Sequence, residues 1–467
     1  MADYDLVIVG MGSAGMVAAE FAASLGIRTC AIERDRVGGD CLWTGCVPSK
    51  ALLASAKVAH HMRTASEYGI LSVEPDIDTA AVLARVRRVR QQIAATDDDP
   101  GRYAEMGVDL RLGEPASLES PSRVRVGDEL IDAKHVLLCT GSRPAEPDID
   151  GLEEAGYLTS ETLWEQVRAP ESMIAVGGGP IAVELAQAFT RLGVAVDVLQ
   201  RGDRILPRDE PELVDRLVQQ LRAEGVRLHL GADVQRVTVE DSKKVVHGVL
   251  DGQARTWSAD EILLGVGRRP NVEGLGLEAA GIETGPKGVI VDERSRTTAR
   301  SVYAVGDLAG RHLFTHSAAS EAAKAVRDMF FPGRGRFDNL VPWCTFTDPE
   351  LAHAGCTSAE AISEHGEGDV EIHRMDLAHS DRARAEGAEA GMILAVTHKR
   401  RLIGAHVLAP GAGEVIQELS LAIERRMRFA DLASLIHVYP TIATSVAQLA
   451  AEASYEGAQR YRWLIRT

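Results

Sequence analysis

"YDLVIVGMGSAGMVAAEFAASLGIRTCAIER", Tyr4 to Arg34, is the stretch whose reading decides the fold. It reads as strand, glycine turn, helix and strand, with Gly10, Gly12 and Gly15 in a GxGxxG spacing directly after an apolar run. The first glycine permits a tight turn and the second lets backbone amides approach a pyrophosphate, while the helix N-terminus adds partial positive charge. Glu33, at the end of the second strand, is placed to bind ribose hydroxyls.

A second copy follows in "SMIAVGGGPIAVELAQAFTRLGVAVDVLQR", Ser172 to Arg201, with Gly177, Gly179 and Ala182. Glu33 lies 23 residues beyond Gly10, and the same offset from Gly177 reaches Gln200, so the second unit lacks the acid. Without that carboxylate a ribose 2′-phosphate meets no repulsion, and the adjacent Arg201 is free to pair with it. The second site is therefore expected to prefer NADPH over NADH. Two dinucleotide units suggest a flavin that stays bound and a nicotinamide that exchanges. "SVYAVGDLAG", Ser301 to Gly310, is another strand; its Asp307 reads equally as a ligand for a cofactor hydroxyl or as a turn residue.

The chain of 467 residues has room for about three domains, and its 45% hydrophobic content supports several cores. A formal net charge of −17 argues against nucleic acid or an anionic membrane as partner. The N-terminus runs straight into an apolar strand, and no apolar run reaches the roughly 18 residues of a membrane span. A cytoplasmic protein is expected. Its six cysteines then argue against a static disulfide framework, and Cys30 and Cys139, inside apolar runs, read as small buried hydrophobes.

"GGDCLWTGCVPSK", Gly38 to Lys50, holds Cys41 and Cys46. Zinc would need about four ligands, and the sequence offers no second cluster. Pro48 suits the first turn of a helix that continues through "SKALLASAKVAHHM", and cysteines near a helix N-terminus have stabilised thiolates. A catalytic dithiol is favoured over an inert pair.

These motifs, with "TGSRP" (Thr140 to Pro144), "GVGRRPN" (Gly265 to Asn271), "LFTHSAASEA" (Leu313 to Ala322) and "TFTDPELAHAG" (Thr345 to Gly355), resemble the pyridine nucleotide-disulfide oxidoreductases. That family includes dihydrolipoamide dehydrogenase, glutathione reductase and mercuric reductase. The resemblance implies an α/β fold with two Rossmann-like dinucleotide-binding domains and a C-terminal α+β dimerisation domain. An FAD domain would take residues 1–150 and 271–340, an NAD(P) domain 151–270, and an interface domain 341–467 would build a homodimer. Carried over by the resemblance, Gly10, Gly12, Gly15, Glu33, Gly141 and Asp307 bind FAD. Gly177, Gly179, Ala182, Gln200 and Arg201 face the nicotinamide dinucleotide, and Ala182 and Ala186 look like the small residues of NADPH users. Lys50 and Glu184 match the family's ion pair beside the flavin ring. The implied mechanism passes electrons from NADPH through FAD to a Cys41–Cys46 disulfide, with Cys46 contacting the flavin as thiolate and Cys41 attacking the substrate.

The C-terminus departs from the disulfide-reducing members, whose partner subunit supplies a proton carrier in the pattern His-Pro-x-x-x-Glu. Here the two positions hold Tyr439 and Thr444. His437, two residues upstream, reads as a displaced base or as a packed histidine; alternation would point it the same way as Tyr439. Tyr439 donates a proton but, with an ordinary pKa near 10, is a poor base. A tyrosine here, "VELAQAFTRLG" and "SDRARAEG" look closest to the mercuric-reductase-like branch. Against that, nothing before the first strand reads as a metal-binding domain, and the tail "EGAQRYRWLIRT" carries no cysteine pair. Asp40 and Trp43 are further oddities of the cysteine loop. The expected enzyme is an NADPH- and FAD-dependent reductase of a metal ion, a quinone or an unusual disulfide. The alternatives are a dihydrolipoamide dehydrogenase-type enzyme and a flavin-only transhydrogenase or quinone reductase with a vestigial dithiol.

Overall fold

Leu6, Val7, Ile8 and Val9 are all buried, so the strand Tyr4–Val9 has apolar neighbours on both faces and takes the middle of a parallel sheet. This computed structural model describes residues 2–333 and 340–459. The segment 334–339 and the C-terminal tail from residue 460 lie outside the described residues. Across the first sheet the parallel order is Asp109–Leu112, Thr29–Glu33, Tyr4–Val9, Glu129–Leu138. The strand Val302–Ala304 then returns to pair with Glu129–Leu138, also in parallel. The chain thus leaves this sheet and comes back to complete it.

What it builds in between is a second sheet of four parallel strands, ordered Arg227–Leu230, Ala195–Gln200, Ser172–Val176 and Glu261–Leu264. An antiparallel meander, Asp233–Glu240 to Gln253–Ala259, packs beside it. A third sheet is antiparallel, five-stranded and ordered Trp343–Thr345, Glu350–Gly355, Arg401–Ala409, Met392–His398, Val370–Asp376. The helices Ala412–Glu424 and Ala443–Gln459 share its core through Ile416, Leu419, Val446 and Leu449. Two parallel α/β units and an antiparallel α+β unit are the architecture expected from sequence.

Both glycine turns do what their spacing predicts. Gly10 has φ +99°, and a Cβ there would sit 2.6 Å from the Cys139 carbonyl oxygen, so only glycine turns the chain between strand and helix. At Gly15 a Cβ would come within 1.9 Å of the Gly10 carbonyl oxygen; its absence lets the helix Ser13–Ser24 seat on the strand end. Gly177 repeats the first arrangement with φ +113°.

The helix Pro180–Arg191 joins the second unit to the third. Arg191 donates from Nε and Nη2 to Glu224 at 2.7 and 2.8 Å, and from Nη1 to Asp348 Oδ2 at 2.8 Å. Arg191 and Glu224 are only 5% and 6% exposed, so this pair is desolvated and its geometry has to be good to persist. Among the described residues no helix is long and apolar enough to cross a membrane.

Candidate active site

The C-terminal ends of the two parallel sheets open into one continuous cavity of about 2590 Å³. Of the residues picked from sequence, Gly10, Gly12, Glu33, Gly141 and Asp307 line it from the first unit, with Cys41, Cys46 and Lys50. Gly177, Gly179, Glu184, Gln200 and Arg201 line it from the second. Gly15 and Ala182 stand behind the wall and pack the helices onto the sheets; Ala182 and Ala186 are buried.

The first unit has the shape and donor set for a dinucleotide. Its turn presents bare backbone: a Cβ on Gly39, in the cysteine loop, would lie 2.6 Å from Gly12 Cα, so the cysteine loop approaches this closely only because Gly39 has no side chain. Glu33 is fixed at the strand end by accepting from Met11 N at 2.8 Å and Asp35 N at 2.9 Å. Asp307 accepts from Ser142 Oγ at 2.5 Å, and burial raises its pKa. These features fit FAD. In the second unit Gln200 turns its amide to the Arg204 carbonyl at 3.1 Å, and Arg201 is exposed to the cavity beside it.

The helix carrying the second cysteine starts at Cys46 and runs to Thr64, with Pro48 in its first turn as expected. Cys46 Sγ lies 3.4 Å from Thr315 Oγ1, and Thr315 is the first residue of the helix Thr315–Phe330. Two helix N-termini thus converge on one sulfur, which favours its anion. Both cysteines carry free thiols here. The bond from the Cys41 thiol is the largest influence bringing Cys46 down to about pH 6; burial opposes it, and Thr315 and then Lys50 add to it. The same bond to Cys46, followed by burial, pushes Cys41 up. The pair is built to keep a proton on Cys41 and a charge on Cys46.

Lys50 Nζ is 2.9 Å from Glu184 Oε2, and Glu184 Oε1 accepts from Phe346 N at 2.8 Å. One buried carboxylate therefore joins the cysteine helix, the second unit and the third sheet. Lys50 also sits 4.2 Å over the Phe346 ring. Trp43 borders the cavity with its indole N–H on the Val37 carbonyl at 2.8 Å and the Arg36 guanidinium 4.2 Å over its face. Cys30 and Cys139 are buried, as expected, and their thiols are pushed up by that burial.

Tyr439 and His437 are not where alternation puts them. The segment 435–442 forms no strand, and the two side chains go to different partners. His437 places Nε2 3.0 Å from Glu418 Oε1 and Nδ1 3.2 Å from the Leu435 carbonyl, so both ring nitrogens are engaged. Tyr439 is exposed, donates to Asp381 Oδ2 at 2.6 Å and lies outside the cavity wall of its own chain. Its bond to Asp381 raises its pKa further. Thr444 Oγ1 is spent on the Val438 carbonyl at 3.1 Å.

Several site residues escaped the sequence. Arg268 donates from Nε to Ser142 Oγ at 2.7 Å and stands 3.6 Å from Asp307. Beyond Gln200, Arg208 packs 4.8 Å over the Trp343 ring, whose N–H donates to the buried Asp209 at 2.8 Å. Glu210 accepts from Ser358 N at 2.9 Å. Three consecutive residues thus clamp the loop after the second unit's ribose position to the third unit, two at the strand residue Trp343 and one at the first residue of the helix Ser358–His365. Arg268 lies within a motif that carries the resemblance, whereas Arg208, Asp209 and Glu210 fall outside every such motif and give no signal. Among the described residues no group of three or more histidines, cysteines and acids is arranged to hold a metal ion.

Comparison with known proteins adds names to this geometry. Residues 4–323 match the family described as pyridine nucleotide-disulphide oxidoreductase, and residues 341–450 match its dimerisation domain. A mercuric reductase of Bacillus cereus is 32% identical over 94% of this chain and 70% of its own length. A dihydrolipoyl dehydrogenase of Thermus scotoductus is 33% identical over 98% of this chain and 99% of its own. Among solved structures, the Cu(II) complex of the HOCl-induced flavoprotein disulfide reductase RclA from Escherichia coli superposes with a TM-score of 0.85. It is 25% identical, with 97% of this chain and 100% of that one covered.

Proposed function

Because the chain belongs to the pyridine nucleotide-disulphide oxidoreductases, FAD-dependent enzymes, we propose that it carries electrons from NADPH through Cys41 and Cys46 to an acceptor other than an ordinary disulfide. A metal ion, a quinone or an unusual disulfide fits that role. The observation that carries this reading is the fate of the proton-carrier positions: Tyr439 and Thr444 are each tied to their own chain, and His437 has both nitrogens engaged. A thiolate leaving group would find no free base there, whereas metal or quinone reduction releases no thiolate to protonate.

FAD, when bound, takes a hydride from the nicotinamide and hands on an electron pair. The chain's own residues do the rest. Gly10, Gly12, Glu33, Gly141 and Asp307 would hold the flavin cofactor and Gly177, Gly179, Gln200 and Arg201 the nicotinamide one, with Gly15 and Ala182 seating the two helices behind those walls. Lys50, oriented by Glu184, would supply a positive charge to a flavin held in the cavity that both residues line. As the S–S bond opens, Cys41 Sγ takes a proton and Cys46 Sγ remains as thiolate, held by Thr315 and the helix N-terminus. Residues 1–150 and 271–340 serve the flavin, 151–270 the nicotinamide, and 341–467 the subunit contact. The dimerisation-domain match supports a homodimer, as do Ile436, fully exposed, and Val438, 78% exposed. The cytoplasm is the proposed compartment, one that keeps the chain's thiols reduced.

The test is an acceptor panel with NADPH: lipoamide, small disulfides, Hg(II), Cu(II), quinones and oxygen. It is run on wild type and on a Cys41→Ser/Cys46→Ser double variant. Turnover of a metal ion or quinone by wild type alone supports the thiol route. Equal turnover by the double variant moves the chemistry to the flavin alone, and fastest turnover of lipoamide overturns the acceptor class. For the nicotinamide, kcat/KM is expected to be higher with NADPH than with NADH, and Gln200→Glu to narrow or reverse the ratio.

A further inference from the structure

Asp40 stands directly before Cys41, and no step above uses it. Its carboxylate is held against the cysteine loop: Oδ1 accepts from Thr44 Oγ1 at 2.5 Å, and a Cβ on Gly45 would lie 3.0 Å from Oδ2. Gly45 immediately precedes Cys46, so the charge is lodged inside the turn that the two cysteines bracket. Among the described residues its ion-pair partner is Arg268, whose Nη2 is 3.4 Å from Oδ1 and whose side chain is 11% exposed. That guanidinium is shared with Asp307, 3.6 Å from its Nε, and with Ser142, so its compensation of Asp40 is partial. A third acid, Glu161, borders the same cavity, and Asp40 raises its pKa after burial does.

We propose that Asp40 sets the reducing strength of the Cys41–Cys46 pair. The inference rests on the role given above to those two cysteines. Opening the disulfide consumes two electrons and one proton: the S–S bond breaks, the proton goes to Cys41 Sγ, and the negative charge stays on Cys46 Sγ. The electrons come from the nicotinamide by the family's established route. A fixed carboxylate beside the loop disfavours the product, which bears a charge, and leaves the neutral disulfide unaffected, so the dithiol becomes the stronger reductant. Lys50 and the helix N-terminus act in the opposite sense on Cys46. Among the influences on the two thiols the mutual Cys41–Cys46 bond is the largest, and Asp40 raises both. Asp40 is thus a tuning residue that acts through the sulfurs, with Arg268 linking its charge to the residues that cradle the flavin.

The test measures the thiol–disulfide equilibrium of the FAD-loaded protein in anaerobic dithiothreitol buffers, with free thiols counted by alkylation and mass spectrometry. Asp40→Asn and Asp40→Thr remove the charge, and Asp40→Glu keeps it. Both neutral variants are expected to favour the dithiol by about threefold to tenfold, roughly 15–30 mV for a two-electron couple. The Glu variant should stay within about 1.5-fold of wild type. Neutral variants that match wild type overturn the proposal, as does a Glu variant that shifts as far as they do, because the effect would then be packing. No acceptor enters this measurement. Failure here is therefore distinct from failure of the thiol route, which the double cysteine variant reports through turnover.

Discussion

Thr315→Val removes one hydroxyl from the sulfur that is to carry the charge and changes little else, since valine nearly matches threonine in volume. In the intact protein Cys46 is brought down to about 6, first by the Cys41 thiol and next, against burial, by Thr315. A hydrogen bond to an ionised group contributes about 1.5 kcal/mol net, which corresponds to about one pH unit. The variant's Cys46 is therefore expected near pH 7. At pH 7 the thiolate fraction falls from about 90% to about 50%, and below pH 5 both proteins hold mostly thiol. Because the folded value is depressed, thiolate is full on the alkaline side and is lost as pH falls through about 6 in wild type. The assay is a pH titration of the long-wavelength thiolate-to-flavin band in anaerobically reduced enzyme. Thr315→Ser, which keeps the hydroxyl, serves as the control. A valine variant whose midpoint lies within roughly 0.3 units of wild type would refute the hydrogen-bond account of this thiolate.

Arg191→Met leaves Glu224 buried without its cation, held by the Gln187 and Gln220 amides, and losses of about 3–5 kcal/mol are typical of such a break. Denaturant unfolding should record it, while Arg191→Met/Glu224→Leu should recover much of the loss. Asp209 is raised to about 6, chiefly by burial, with the Trp343 N–H pulling the other way. A raised carboxyl is least costly to the fold below its unfolded pKa, and the folded state loses stability as pH rises through about 6. Asp209→Asn, uncharged, should therefore be more thermostable than wild type at pH 8, by a gap that shrinks to about half at pH 5 on its way to closing below the unfolded value of about 3.8. A gap of equal size at both pH values would locate the effect elsewhere.

The parts of this site legible in sequence are those in which local backbone geometry and cofactor chemistry coincide. Gly10 and Gly177 have to turn the chain at positive φ where they stand, so their spacing after an apolar run identifies both sheets and both strand ends. Cys41, Cys46 and the helix behind them form one continuous stretch and are likewise readable. Thr315 meets Cys46 across 269 positions, and Arg268 meets Ser142 across 126; no periodicity records such contacts. His437 and Tyr439 misled for a related reason: alternation predicts a shared direction only in a strand, and the segment forms none. Each side chain instead follows the carboxylate within its reach, Glu418 or Asp381.

The helix Pro180–Arg191 is pinned at Glu184 to Lys50 and Phe346 and at its far end to Asp348. In mechanical terms it is a beam with supports on two other units, and the second glycine turn opens directly from its first residue. Those supports oppose rotation of the helix, so its cavity-lining end is held in place against Lys50 and the third unit. Since an ångström of misplacement can cost on the order of a hundredfold in rate, loosening either support is expected to slow hydride arrival before it weakens nucleotide binding.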